Sequence, residues 1–297
     1  MLHGWIVLDK PVGLGSTQAV SAVKRLLREA GEPKTKVGHG GTLDPLACGV
    51  LPIALGEATK LAGRMLDATK AYEFTIHFGE ETNTLDTEGA VVAKSDVRPT
   101  PEEIEAVLPA FTGEIDQIPP AYSALKIEGK RASDRTRAGE DVELKARRIT
   151  INELLMVSAT VDEVTLSATV SKGSYIRSLA RDIAHVLGTV GHVSYLRRTR
   201  AGPFSLESAI SLDFLTKAAK ARQLDGAVVP LIAALDDIPA LPVTPDQAQL
   251  LRHGQKLVGF PALPGLALAI EDEVPVALVE ASADGLRVVR GFNLKDE

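Results

Sequence analysis

The sequence predicts an α+β protein whose body is a mixed, largely antiparallel sheet. Three observations predict it. Segments with the two-residue period of strands and the longer period of helices are interspersed, with no regular strand–helix–strand rhythm. No glycine fingerprint of the dinucleotide-binding type opens a helix, which argues against a doubly wound sheet. The C-terminal end carries short β-like runs between turn residues, the pattern of a small separate β unit.

An apolar strand runs from Trp5 to Leu8, and a turn follows at Pro11 to Gly15. Ser16 or Thr17 is placed to cap a helix with apolar positions Val20, Val23, Leu26 and Leu27, ended by Gly31 and Pro33. The glycine-rich loop Lys36 to Pro45 leads to a short apolar stretch and a helix near 57 to 66. Tyr72, Phe74, Ile76 and Phe78 alternate with Glu73, Thr75 and His77, as in a strand with one buried face. Residues 79 to 100 read as a polar turn and a short strand, and Pro101 to Leu108 as a helix with proline and acids in its first turn. Pro119-Pro120 opens an irregular stretch, and 126 to 148 is too charged for core, so a surface arm or loop is expected there. A strand with Val164, Leu166, Ala168 and Val170 on one face reaches Lys172-Gly173. Behind Ser174 as cap, Ile176, Leu179, Ile183 and Val186 form an amphipathic helix ending at Gly188. Three prolines between Asp236 and Pro245 suggest a linker, after which Leu266 to Ile270, Val274 to Val279 and Leu286 to Val289 read as strands. The expected organisation is one domain over 1–240 and a short β domain over 241–297.

Composition narrows the function classes. A chain of 297 residues, 45% hydrophobic and 24% charged, has ample length for a core. No apolar run is long enough to span a bilayer and no signal-peptide pattern opens the chain, so a cytoplasmic protein is expected. Cys48 is the only cysteine, and the histidines at 3, 39, 77, 185, 192 and 253 lack ligand spacing, so neither a disulfide nor a metal is expected. The net charge of −6 opposes a polyanionic ligand, but its distribution is uneven. Lys172 to Arg200 holds six bases against one acid, and 126 to 148 eight against five, while 201 to 297 holds eight against thirteen. Such a basic face can bind RNA; it also fits a merely solvated surface.

Asp44 closes the loop Lys36-Val-Gly-His-Gly-Gly-Thr-Leu-Asp-Pro45. The ring of Pro45 keeps Asp44 out of helical geometry, and glycines 38, 40 and 41 permit close or left-handed backbone around it. The pattern alone fits equally a carboxylate aimed into a cleft and a turn Asp capping its own backbone.

The surrounding motifs decide between them. The run Gly38-His-Gly-Gly-Thr-Leu-Asp-Pro-Leu-Ala47 with Gly49, Leu55-Gly-Glu-Ala-Thr-Lys60, Leu8-Asp-Lys-Pro-Val-Gly13, Lys70-Ala-Tyr72, Tyr122-Ser-Ala-Leu-Lys126 with Gly129-Lys130, Lys172-Gly-Ser-Tyr-Ile-Arg177 and Tyr195-Leu-Arg-Arg198 resemble, in the same order, the TruB family of tRNA pseudouridine synthases. The likeness covers about residues 4 to 202. It implies the pseudouridine synthase fold with a small PUA-like β domain at the C-terminal end, and isomerisation of the T-loop uridine of tRNA at position 55. It implies no cofactor, no membrane and no obligate protein partner, with a monomer expected.

By that resemblance Asp44 is the nucleophile, able to form a covalent intermediate or to stabilise charge at the sugar as the base departs. A carboxylate beside a nucleobase tends to take up a proton unless a cation holds it ionised, and Arg177 is the candidate partner. That residue falls in the first turn of its helix, where positive charge opposes the macrodipole at about 0.3–1 kcal/mol, so helix stability does not explain it. Tyr72 reads from pattern alone as core with its hydroxyl at the rim; the family implies a ring stacked on the target uracil and a hydroxyl near C5. Tyr175 and Leu196 match positions that line the uracil pocket. A loop uridine must leave its stack first, and His39, flat and set between glycines, is suited to the vacated space. Lys10, Lys60, Lys126, Lys130, Arg197 and Arg198 are candidates for backbone phosphates, and 126–148 for an RNA-contacting arm. Gly15 and Asp134 depart from the usual family residues. The alternative from another class is a non-catalytic tRNA-binding or folding protein. A phosphoryl-transfer or glycosidase carboxylate is weaker, since Leu46 stands where a second acid would be needed.

Overall fold

The computed structural model describes residues 1–123, 125–127, 129–140 and 144–294, with the side chains of 126, 127 and 131 outside that description. In chain order the strands are β1 (Gly4–Lys10), β2 (Val37–His39), β3 (Cys48–Leu55), β4 (Lys70–Phe78), β5 (Glu80–Thr82), β6 (Val91–Lys94), β7 (Gly113–Gln117), β8 (Lys126–Ile127), β9 (Lys130–Arg131) and β10 (Arg147–Ala159). They continue with β11 (Glu163–Val170), β12 (Gly191–Ala201), β13 (Phe204–Ser205), β14 (Ile210–Ser211), β15 (Ala240–Pro242), β16 (Leu257–Val258), β17 (Gly265–Glu271), β18 (Val274–Ser282) and β19 (Gly285–Gly291). The helices are α1 (Ser16–Glu29), α2 (Ala62–Asp67), α3 (Pro101–Val107), α4 (Ala132–Arg137), α5 (Ile176–Val186), α6 (Leu212–Ala221) and α7 (Pro245–Arg252).

The main sheet runs β14-β1-β3-β12-β4-β11-β10-β7, with β2 beside β3 and β13 beside β12. Only the β1–β14 and β3–β12 pairs within it are parallel, so the sheet is mixed and largely antiparallel. Alternation explains its layers. Phe74, Ile76 and Phe78 of β4 point with Val164, Leu166 and Val170 of β11 into one cluster closed by Ile176, Leu179 and Ile183 of α5. In β1, Ile6 and Leu8 face α1 and α6, whereas Trp5 and Val7 face a cluster containing Leu268, Leu278 and Phe292 of the C-terminal part. Both faces of β1 are therefore buried. The second sheet, β15-β17-β18-β19-β16, is thus packed against the main one through a shared apolar layer.

Several sequence expectations need correction. Strands β10 and β12 were not expected, because two bulges in each ladder, at 151/153 and 156/158 and at 193/195 and 198/200, interrupt the period of two. The 126–148 segment, expected as a surface arm or loop, carries regular elements in its described part. It holds the β8–β9 pair and α4, whose Ala132 is fully buried, and then leads into β10. The stretch read as a linker contains β15, hydrogen-bonded in parallel to β17. Neither expected serine caps its helix: the N-cap positions are Gly15 and Tyr175, while Ser16 and Ser174 bond elsewhere.

Candidate active site

Asp44 lies on irregular backbone between β2 and β3, in a turn closed by the Ala47 N–H donating to the Asp44 carbonyl at 3.1 Å. Two of the loop glycines are demanded by the geometry. Gly41 has φ of +133°, and a Cβ on Gly40 would fall 2.5 Å from Met65 Cβ. Side chains pin the loop from three sides. Ser16 Oγ donates to the Leu43 carbonyl and accepts the Leu43 N–H, both at 2.8 Å. Lys10 Nζ donates to the carbonyls of Leu14 at 2.6 Å, Pro11 at 2.9 Å and Pro45 at 3.3 Å. Arg198 donates through Nε to Val50, Nη1 to Thr42 and Nη2 to Gly41, at 2.8, 3.1 and 3.3 Å.

These bonds correct two expectations. Lys10 and Arg198 are 0% and 1% exposed, so neither presents a donor to an external phosphate. They are internal fasteners of the Asp44 loop. Burial pushes the Lys10 ammonium down to about 8, against the attraction of Cys48 and Asp44.

Arg177 stands at the second position of α5 and holds two carboxylates. Its Nη2 is 2.9 Å from Asp44 Oδ2, and its Nη1 is 3.2 Å from Asp86 Oδ2. The same nitrogens donate to the carbonyls of Tyr122 at 3.0 Å and Thr84 at 2.8 Å. The guanidinium and Asp86 are buried, with side chains 6% and 2% exposed, while Asp44 is 37% exposed. One carboxylate is therefore an internal counter-ion and the other faces outward. Asp86 was not identified from sequence. It occupies a tight turn in which Leu85 has φ of +64°, its Oδ1 accepts the Glu88 N–H at 3.0 Å, and Val193 N–H donates to the Leu85 carbonyl at 3.0 Å.

A cavity of about 310 Å³ opens at Asp44, with Tyr72, Tyr175, Arg177, Leu196 and Lys70 in its walls. Tyr72 continues the inward face of β4, and the Tyr175 N–H is held by Gln117 Oε1 at 2.8 Å. Lys70, given no role of its own in the sequence motif Lys70-Ala-Tyr72, is buried and donates to the carbonyls of Leu66 and Ala68, both at 2.6 Å. Burial, aided by Arg198, pushes its ammonium down to about 8. The cavity thus combines an aromatic and aliphatic lining with one outward carboxylate.

The remaining candidates are spread around this centre. His39 belongs to β2 and does not line the cavity; among the described residues its Nδ1 is buried without a hydrogen-bond partner, and burial lowers its basicity. Lys60 donates to Glu57 at 2.6 Å and to the Gly291 carbonyl at 2.9 Å, joining the turn before α2 to β19. Arg197 is shared between Asp9 Oδ2 at 2.9 Å and Cys48 Sγ at 3.3 Å. Lys130 is exposed, and the Lys126 side chain lies outside the described residues. Among the described residues, no group of three or more His, Cys, Asp or Glu is placed to hold a metal.

Deleting the Asp86 carboxylate leaves a buried guanidinium short of a counter-ion. Asp86→Ala is expected to destabilise the protein by about 3–5 kcal/mol, read from urea unfolding. A change below about 1 kcal/mol would mean that the carbonyls alone satisfy Arg177.

Comparison with known proteins places this geometry in a family. Residues 24–176 match the family described as TruB family pseudouridylate synthase, N-terminal domain, and residues 177–236 match the tRNA pseudouridylate synthase B C-terminal domain. A tRNA pseudouridine synthase B of Zymomonas mobilis is 63% identical over 98% of this chain and 96% of its own. Its counterpart from Novosphingobium aromaticivorans is 60% identical over 100% and 99%. Among solved structures, a chain of an H/ACA RNP bound to a substrate RNA containing 2′-deoxyuridine superposes with a TM-score of 0.76 at 26% identity, covering 99% of this chain and 86% of that one. A chain of a Cbf5-Nop10-Gar1 complex gives 0.75 at 28%, with the same coverage. The chain belongs to the TruB family of pseudouridylate synthases.

Proposed function

We propose that this enzyme turns out the uridine at position 55 of the tRNA T-loop and isomerises it, with Asp44 as the nucleophile. The family and the relatives make the reaction a uridine isomerisation in tRNA. The observation that carries the residue assignment is the outward carboxylate of Asp44, 2.9 Å from a buried arginine at the mouth of a small cavity. About 310 Å³ is at the lower end for small-ligand sites, which suits a single pyrimidine nucleotide and not a base pair.

The chemistry must break the C1′–N1 bond, rotate the uracil and form C1′–C5, while the proton on C5 is lost and N1 gains one. No atom enters or leaves overall. Asp44 can add to C6 of the base or to C1′ of the ribose, and either adduct keeps the detached base tethered or the sugar cation quenched. Arg177, fixed by Asp86 and two carbonyls, holds Asp44 without itself needing to move. Tyr72 is placed to stack on the uracil and to bring its hydroxyl toward C5, with Leu196 and Tyr175 excluding water from the other sides. Turning out the base costs a few kcal/mol, offset by these contacts. His39, beside the loop and not in the cavity, is suited to the space the base vacates.

The fit to a two-carboxylate glycosidase is poor. The other acid near Asp44 on this arginine, Asp86, lies buried behind the guanidinium and cannot face a substrate. A non-catalytic RNA-folding role does not account for the family to which the chain belongs, although the same grip on a loop would also serve folding. In this reading the enzyme acts as a cytoplasmic monomer on the T-arm, and the exposed Lys130 is available to the RNA backbone.

The direct assay incubates purified protein with an unmodified tRNA transcript and maps pseudouridine by chemical labelling. Asp44→Asn is expected to lower kcat on the order of 10⁴-fold or more, while tRNA affinity changes less than about threefold. Product formation by that variant at near-normal rate would remove Asp44 from the chemistry. Arg177→Lys cannot span both carboxylates with a planar fork, so kcat is expected to fall on the order of 10²-fold with a small change in KM. Parallel losses in kcat and in binding would instead mark Arg177 as an RNA contact.

A further inference from the structure

A second cavity, of about 650 Å³, lies on the other side of α2 from the Asp44 cavity. The two have no lining residue in common but draw on the same two segments. Leu66 and Lys70 line the first, while Arg64, Asp67 and Ala68 line the second, and β12 contributes Arg198 to one and Arg200 to the other. The bulge between Arg198 and Arg200 produces this division. In an unbroken strand the two side chains would share a face; here Arg198 turns into the core and Arg200 is exposed. The hairpin after β12 is closely packed on the end of α2, since a Cβ on Gly202 would sit 3.1 Å from Ala68 Cβ and 3.5 Å from Met65 Cε.

Among the described residues the Arg200 side chain has no hydrogen bond or ion pair, and Arg64 Nε is buried without an acceptor. Arg64 Nη2 is held by the exposed carboxylate of Asp237 at 3.0 and 3.1 Å, and Asp67 by Lys172 at 3.0 Å. The cavity therefore offers guanidinium donors beside carboxylate acceptors, over an apolar floor that includes Met65 and Pro203. A simple anion would be repelled by Asp67, Asp236 and Asp237. A nucleotide answers both signs at once: its phosphodiester takes the arginines, and its 2′-hydroxyl and base N–H groups donate to the carboxylates.

We infer that this cavity is the subsite for the nucleotide flanking the target uridine, with Arg200 and Arg64 on its phosphate and Asp237 as a competing internal partner of Arg64. The inference rests on the proposed reaction at the Asp44 cavity and adds a second nucleotide to it. Arg200 is exposed and unpaired in the free protein, so its removal costs little stability, whereas its position one bulge away from the base cavity puts it beside the RNA backbone. The two arginines act on binding and not on the bond changes, so KM moves and kcat does not.

The test measures pseudouridine formation on an unmodified tRNA transcript across a salt series for the wild type, Arg200→Ala and Asp237→Asn. Arg200→Ala is expected to raise KM about five- to tenfold at unchanged kcat, and to flatten the dependence of log affinity on log salt by about 0.7, as for one lost phosphate contact. Asp237→Asn frees Arg64 and is expected to lower KM about two- to threefold. Opposite signs in the two variants are required. No change in either variant, shifts of the same sign, or a loss confined to kcat overturns the subsite. A wild-type protein that forms no pseudouridine would instead overturn the proposed reaction itself, which separates the two failures.

Discussion

Arg177 carries one positive charge between two carboxylates, and the rest of the site follows from how that charge is satisfied. Removing a guanidinium from water costs several kcal/mol unless its donors find acceptors. Here the Asp86 carboxylate and the Thr84 and Tyr122 carbonyls supply them within the protein, so the guanidinium is fixed before any substrate arrives. Asp44 completes the set from the cavity side, and it alone of the two acids is substantially exposed. The arrangement orients an outward-facing carboxylate by fixing its counter-ion in advance, a form of preorganisation.

The Asp44 loop is secured by the same logic with a different set of donors. Lys10 and Arg198 spend their hydrogen bonds on backbone carbonyls of a segment too irregular to satisfy them in a sheet, and Ser16 takes both polar groups of Leu43. The loop can then leave the ladder with these backbone groups satisfied. Lys70 closes the opposite wall by taking two carbonyls near the end of α2. Three buried cations besides Arg177 therefore serve structure around one exposed acid, and all four are drawn from segments with conspicuous sequence motifs.

Those motifs explain how much was legible in advance. Asp44, Tyr72, the Tyr175–Arg177 pair and Leu196 come from four separate stretches of the sequence and share one cavity, and each stands in a segment whose residue order carried the family resemblance. Lys10 and Arg198 read as phosphate contacts because a lysine or arginine looks the same in sequence whether it meets a carbonyl inside or a phosphate outside. Asp86 left no mark because its partner comes from a helix remote in sequence. Strands with clean alternation, such as β4 and β11, were visible; β10 and β12 were hidden where bulges shift the alternation, and in β12 that shift is what divides Arg198 from Arg200.

Under the proposed mechanism Asp86 bears on catalysis only through Arg177, which it meets at 3.2 Å. A double-mutant cycle on the single-turnover rate of pseudouridine formation tests it, using Asp86→Asn, Arg177→Lys and the pair. If the arginine is the sole link, the double variant is no slower than Arg177→Lys within about twofold, a coupling on the order of the whole Asp86→Asn effect. Rates that multiply, with the double variant slowed by the product of the two single losses, would show Asp86 and Arg177 acting independently and would contradict the account.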